Sequence, residues 1–75
     1  MSRPLQVALV GYGLAGRYFH RPLIQATDDL RLASIVTTNS ERGAQARADV
    51  PQVDVISDAS ALWHDADEYD LVVIA

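Results

Sequence analysis

Residues 5 to 10, LQVALV, run directly into GYGLAGRYFH, which sets Gly11, Gly13 and Gly16 at the spacing G-x-G-x-x-G. An apolar run of this length suits a strand covered on both faces of a parallel sheet. Glycines then carry the chain through a turn that side chains would obstruct, and a helical pattern follows at once. A chain meeting all three conditions is committed to an α/β architecture.

The same alternation continues to the end. RLASIVTT (31–38), VDVIS (53–57) and DLVVIA (70–75) read as strands. LAGRYFHRPLIQA (14–26) reads as a helix with Leu14, Tyr18, Leu23 and Ile24 turned to the sheet and Pro22 bending it near its middle. SERGAQARAD opens on Ser40 as N-cap, and DASALWHDA opens on Asp58 and lays Leu62 and Trp63 over the sheet edge. The order β-α-β-α-β-α-β, with connections long enough for right-handed crossovers, predicts a Rossmann-type doubly wound parallel sheet in the strand order 3-2-1-4.

In that setting each glycine has its own role in binding a dinucleotide. Gly11 permits the sharp turn off the strand, Gly13 lets backbone approach a pyrophosphate, and Gly16 lets the helix pack closely on the sheet. Amides around Gly13, Leu14 and Ala15 would aim their donors and the positive helix end at the phosphates. No side-chain cap precedes the helix, so the anion itself would cap it. Tyr12 would flank the cofactor chiefly through its backbone. The competing reading is a glycine-rich turn without a ligand, which accounts for one or two glycines but not for their spacing.

The tip of the second strand is the next test, because an acidic side chain there bonds the ribose hydroxyls of NAD. Here the stretch reads IVTTNSER, and the first acid is Glu41. Thr37, Thr38 and Ser40 offer hydroxyls, Asn39 an amide, and Arg42 a guanidinium able to fork onto phosphate oxygens. NADP is therefore favoured, with NAD still open. Against this stands the plainer assignment of Ser40 as a helix cap and Arg42 as a solvated surface residue.

Composition excludes several other functions. With a net charge of −4 and six arginines scattered singly, no basic stripe exists for nucleic acid. No stretch approaches the ~20 apolar residues of a membrane span, and Gln6 and the glycines interrupt the N-terminal run before it reads as a signal peptide. The absence of cysteine removes disulfides and thiolate metal sites and fits a cytoplasmic address. His20 is placed for packing rather than proton transfer. His64 lies among Asp65, Asp67 and Glu68 without ligand periodicity, so no metal site and no catalytic residue is expected.

Taken together, VALVGYGLAGRYFHRPLI, IVTTNSER and YDLVVIA resemble the Gfo/Idh/MocA family of NAD(P)-dependent oxidoreductases. GRYFHRPLI is the most particular of these stretches and is similar to the branch containing NADP-preferring scyllo-inositol dehydrogenases. The resemblance implies that Gly11, Gly13, Leu14 and Ala15 hold the pyrophosphate. It likewise puts Thr37, Thr38, Asn39 and Arg42 around the adenosine, and Ala75 before the loop lining the nicotinamide. It further implies a homo-oligomeric enzyme that moves a hydride between the nicotinamide and a sugar or polyol hydroxyl.

The family's catalytic lysine has no counterpart in a chain that contains no lysine. Residues 1–75 are therefore expected to form the N-terminal part of the dinucleotide-binding domain, with the rest of that domain and a substrate domain outside this chain. The open edge of the apolar last strand supports that expectation. Two alternatives remain: a non-catalytic NAD(P) sensor of the same fold, and a Rossmann domain for another adenosine cofactor such as FAD or S-adenosylmethionine.

Overall fold

The structure, a computed structural model, describes residues 3–75. Strands β1 (Leu5–Val10), β2 (Leu30–Val36), β3 (Asp54–Ile56) and β4 (Leu71–Ile74) pair in parallel in the order β3-β2-β1-β4. That is the order expected for a doubly wound sheet, and the right-handed crossovers that generate it explain why β1 and β2 lie at its centre.

Alternate residues of the strands feed two cores. Val7, Leu9, Leu32 and Ile35 pack with Tyr12 and with Ile24, Ala46 and Val50 on one face. Ala8 and Val36 pack with Leu62 on the other. Between Val7 and Ala8 the register shifts, so Val7 pairs with Leu32 but Ala8 with Ser34. This bulge puts Leu32 and Ile35, three apart, on the same face. It also buries Ser34, whose hydroxyl lies 2.6 Å from that of Tyr69.

The helices are α1 (Arg21–Ala26), α2 (Ser40–Asp49) and α3 (Ala59–His64). Residues 14–26 are continuously helical, but Gly16–His20 form a wide π-helical turn whose bond runs from the Arg21 N–H to the Gly16 carbonyl. Pro22 falls in the first turn of α1, so its missing N–H lies beside the wide turn rather than inside a regular helix.

The expected apolar face is corrected accordingly. Ile24 is buried, whereas Leu14, Tyr18 and Leu23 are 79%, 63% and 59% exposed. The wide turn breaks the helical period, and the close approach to the sheet is made by Gly16 rather than by large side chains.

Two further expectations are corrected. Asn39 rather than Ser40 caps α2, its Oδ1 accepting the Arg42 N–H at 3.0 Å. Leu62 is fully buried, but Trp63 is 54% exposed. Consecutive helical residues point about 100° apart, so only one of the two can face the sheet. Asp58 caps α3 as expected, accepting the Ser60 N–H at 2.9 Å.

Candidate dinucleotide-binding site

The carboxyl ends of β1, β2 and β4 are laced together. The Gly11 N–H donates to the Val36 carbonyl at 2.8 Å, and the Ala75 N–H to the Val10 carbonyl at 3.0 Å. Gly11 takes φ +100°, a left-handed conformation that side chains disfavour, and a Cβ there would also sit 3.4 Å from the Ala75 carbonyl oxygen. Gly16 is buried, and a Cβ on it would collide with the Gly11 carbonyl oxygen. The first and third glycines are thus each required by backbone geometry.

Gly13 is different. A Cβ there would meet no backbone, only the Arg42 guanidinium, with Nη1 at 3.5 Å and Cζ at 3.7 Å. Arg42 therefore reaches from the first turn of α2 across to the glycine loop. The first bond of the glycine-loop helix runs from the Arg17 N–H to the Gly13 carbonyl at 2.9 Å. The amides of Leu14, Ala15 and Gly16 are consequently those without intrahelical partners.

A cleft of about 420 Å³ opens where these parts meet, lined among others by Gly11, Gly13, Thr37, Thr38, Arg42 and Ala75. None of its lining residues is acidic. Asn39 and Ser40 line a smaller neighbouring depression together with Thr37, Thr38 and Arg47. Asn39 spends its side-chain oxygen on capping α2, and its N–H bonds Thr37 Oγ1 at 3.3 Å. Leu14 and Ala15 are exposed beside the loop, whereas the Tyr12 ring is buried in the core and only its backbone remains at the loop.

Sequence reasoning missed what Tyr12 does. Its hydroxyl donates to Asp49 Oδ2 at 2.6 Å, and Arg17 Nε donates to the same oxygen at 2.9 Å. Burial, reinforced by the hydrogen bond to Asp49, pushes the Tyr12 phenol up to about 12. Hydrogen bonds from Tyr12 and Arg17 hold the Asp49 carboxyl below the usual carboxylate range. Ring size alone gave no signal of its burial, since Phe19 and Trp63 of the same chain are 66% and 54% exposed. The partner, 37 positions away, was not legible.

No helix among the described residues is long and apolar enough to cross a membrane. Nor do the described residues include a group of three or more His, Cys, Asp or Glu placed to hold a metal.

A parallel sheet in the order β3-β2-β1-β4, with a glycine turn at the carboxyl end of its first strand and helix amides behind it, defines a Rossmann-type nucleotide-binding unit. Residues 5–75 match the family model GFO_IDH_MocA, described as an oxidoreductase family with an NAD-binding Rossmann fold. The chain belongs to this Gfo/Idh/MocA oxidoreductase family.

Among its relatives, the uncharacterised oxidoreductase YdgJ of Escherichia coli is 39% identical over 74 residues, covering 99% of this chain and 20% of the relative. The NADP(+) scyllo-inositol 2-dehydrogenase IolW of Bacillus subtilis is 29% identical over 70 residues, 93% of this chain and 18% of the relative. A candidate oxidoreductase from Klebsiella pneumoniae superposes with a TM-score of 0.81 at 37% identity, over 99% of this chain and 20% of that one. A second, yvaA from Bacillus subtilis, superposes with a TM-score of 0.86 at 27% identity, over 100% of this chain and 20% of that one. The chain spans about a fifth of the length of the curated relatives it matches.

Proposed function

We propose that residues 1–75 are the N-terminal part of the cofactor domain of a longer NADP-preferring oxidoreductase. Gly11, Gly13, Leu14, Ala15 and Gly16 would hold the pyrophosphate, with Thr37, Thr38, Asn39, Ser40 and Arg42 around the adenosine end and Ala75 on the nicotinamide side. The residues present fit that group. The missing Cβ of Gly13 keeps the loop open, and the lining of the cleft carries a cation and hydroxyls but no carboxylate. The acid-free tip of β2 carries the cofactor preference: Thr37, Thr38 and Arg42 line the cleft there, arginine forks onto phosphate oxygens, and no carboxylate stands by to repel a 2′-phosphate.

When bound, the nicotinamide supplies the hydride acceptor or donor. This chain's contribution is to bind and orient the dinucleotide. The chemistry on a sugar, polyol or related CH–OH group would be completed by residues of the parent protein outside residues 1–75. The name of the IolW relative supports both the cofactor and the substrate class.

The test compares NADPH and NADH binding to the parent protein, before and after Arg42→Ala. The expected result is tighter NADPH binding, with the preference lost in the variant. Equal affinity for both cofactors, untouched by Arg42→Ala, removes the 2′-phosphate assignment.

A further inference from the structure

We propose that Asp49 is a positioning residue for the glycine loop, one carboxylate oxygen fixing both ends of the segment that would hold the pyrophosphate. The inference rests on the dinucleotide reading above and deepens it. Tyr12 stands immediately before Gly13, and Arg17 immediately after Gly16. Both donate to Asp49 Oδ2, at 2.6 Å and 2.9 Å, and Arg21 Nε stands behind at 3.9 Å. The four residues Gly13, Leu14, Ala15 and Gly16 are therefore suspended between two anchors that share one atom.

The anchors differ in kind, which makes the arrangement stiff. Tyr12 is held by the core, with 1% of its surface exposed, so its ring stays fixed whether or not its hydroxyl has a partner. Arg17 approaches through a charge-assisted bond whose side chains remain partly exposed. Arg21 braces Arg17 by donating from Nε to the Arg17 carbonyl at 3.1 Å.

Asp49 ends the helix whose first turn bears Arg42. The same helix thus carries both the carboxylate that holds the ends of the loop and the guanidinium that lies against Gly13. Preorganisation of this sort lowers the cost of ordering the loop when a ligand binds.

The experiment titrates the parent protein with NADPH and with NADH, well below its melting temperature, for wild type, Tyr12→Phe and Asp49→Asn. Tyr12→Phe keeps the buried ring and removes only the hydroxyl, so it carries the test should Asp49→Asn fail to fold. A variant in the core on the other face of the sheet, Val72→Ala, serves as control: it lowers Tm and leaves both Kd values at wild type. The expected result is a rise of about tenfold in Kd for both cofactors in each network variant, the size set by losing one hydrogen bond to a charged group. Folded Tyr12→Phe binding both cofactors with wild-type Kd, whatever its Tm, overturns the inference while leaving the dinucleotide reading intact. A wild-type protein that binds neither cofactor overturns the dinucleotide reading, and the inference with it.

Discussion

The Arg42 guanidinium lies against Gly13, its Nη1 3.5 Å from the place a Cβ would occupy, so two segments 29 residues apart meet over the open side of the loop. Gly13 is thereby the one glycine of the three whose requirement comes from what must approach the loop rather than from the loop's own backbone.

Gly13→Val should separate binding from folding. An added Cβ meets only a flexible, exposed side chain at ordinary contact distance, so stability should stay within about 1 kcal/mol of wild type. The valine methyls would nonetheless stand in the approach to the amides and displace Arg42. Dinucleotide binding by the parent protein, followed by titration, should be lost. Retained affinity would show that the glycine only serves the turn.

Gly16→Ala should do the reverse. The added Cβ would run into the carbonyl oxygen of Gly11, a backbone atom held by the sheet on one side and by its own left-handed conformation on the other. The cost should be about 1–3 kcal/mol, in the range of forced overpacking, read from chemical denaturation. An unchanged midpoint would mean that the helix can retreat from the sheet freely.

These two glycines show what the sequence could and could not reveal. The strand order, the left-handed turn at Gly11 and the close packing at Gly16 follow from local rules that a spacing of glycines after an apolar strand already invokes. The helix beginning at Leu14 was harder to read, because its π-helical turn breaks the period on which any assignment of an apolar face depends. The Arg42 contact and the Asp49 hub depend on how α2 is docked beside the loop, which is a tertiary fact with no local signature.

Capping of α2 gives a further contrast. Asn39 Oδ1 accepts the Arg42 N–H, while the neighbouring Ser40 is exposed and already helical. Asn39→Ala should cost about 1 kcal/mol, whereas Ser40→Ala should fall within about 0.5 kcal/mol of wild type. Because Arg42 rides on the first turn, Asn39→Ala should also weaken NADPH binding. A lower melting temperature for Ser40→Ala than for Asn39→Ala would return the cap to Ser40.

The Asp49 network should leave a signature in the pH dependence of stability. The Tyr12 phenol is raised from its ordinary 10.0 to about 12, by burial first and the Asp49 hydrogen bond second. Its contribution is therefore complete below about pH 10 and is lost as pH rises through about 12. The Asp49 carboxyl is lowered, by its bonds from Tyr12 and then Arg17, so its contribution is complete above about pH 4 and is lost as pH falls through the depressed folded value. Between those limits the network should give a flat plateau.

Tyr12→Phe should flatten the alkaline limb, and Asp49→Asn should flatten part of the acid limb. The remainder belongs in part to Asp58, whose carboxyl is also held low by its capping bonds to Ser60. Thermal melting of the parent protein across pH, with each variant compared to wild type, reads both limbs. An acid limb unchanged by Asp49→Asn would show that the carboxylate titrates alike in the folded and unfolded chains, contrary to the two short hydrogen bonds it accepts.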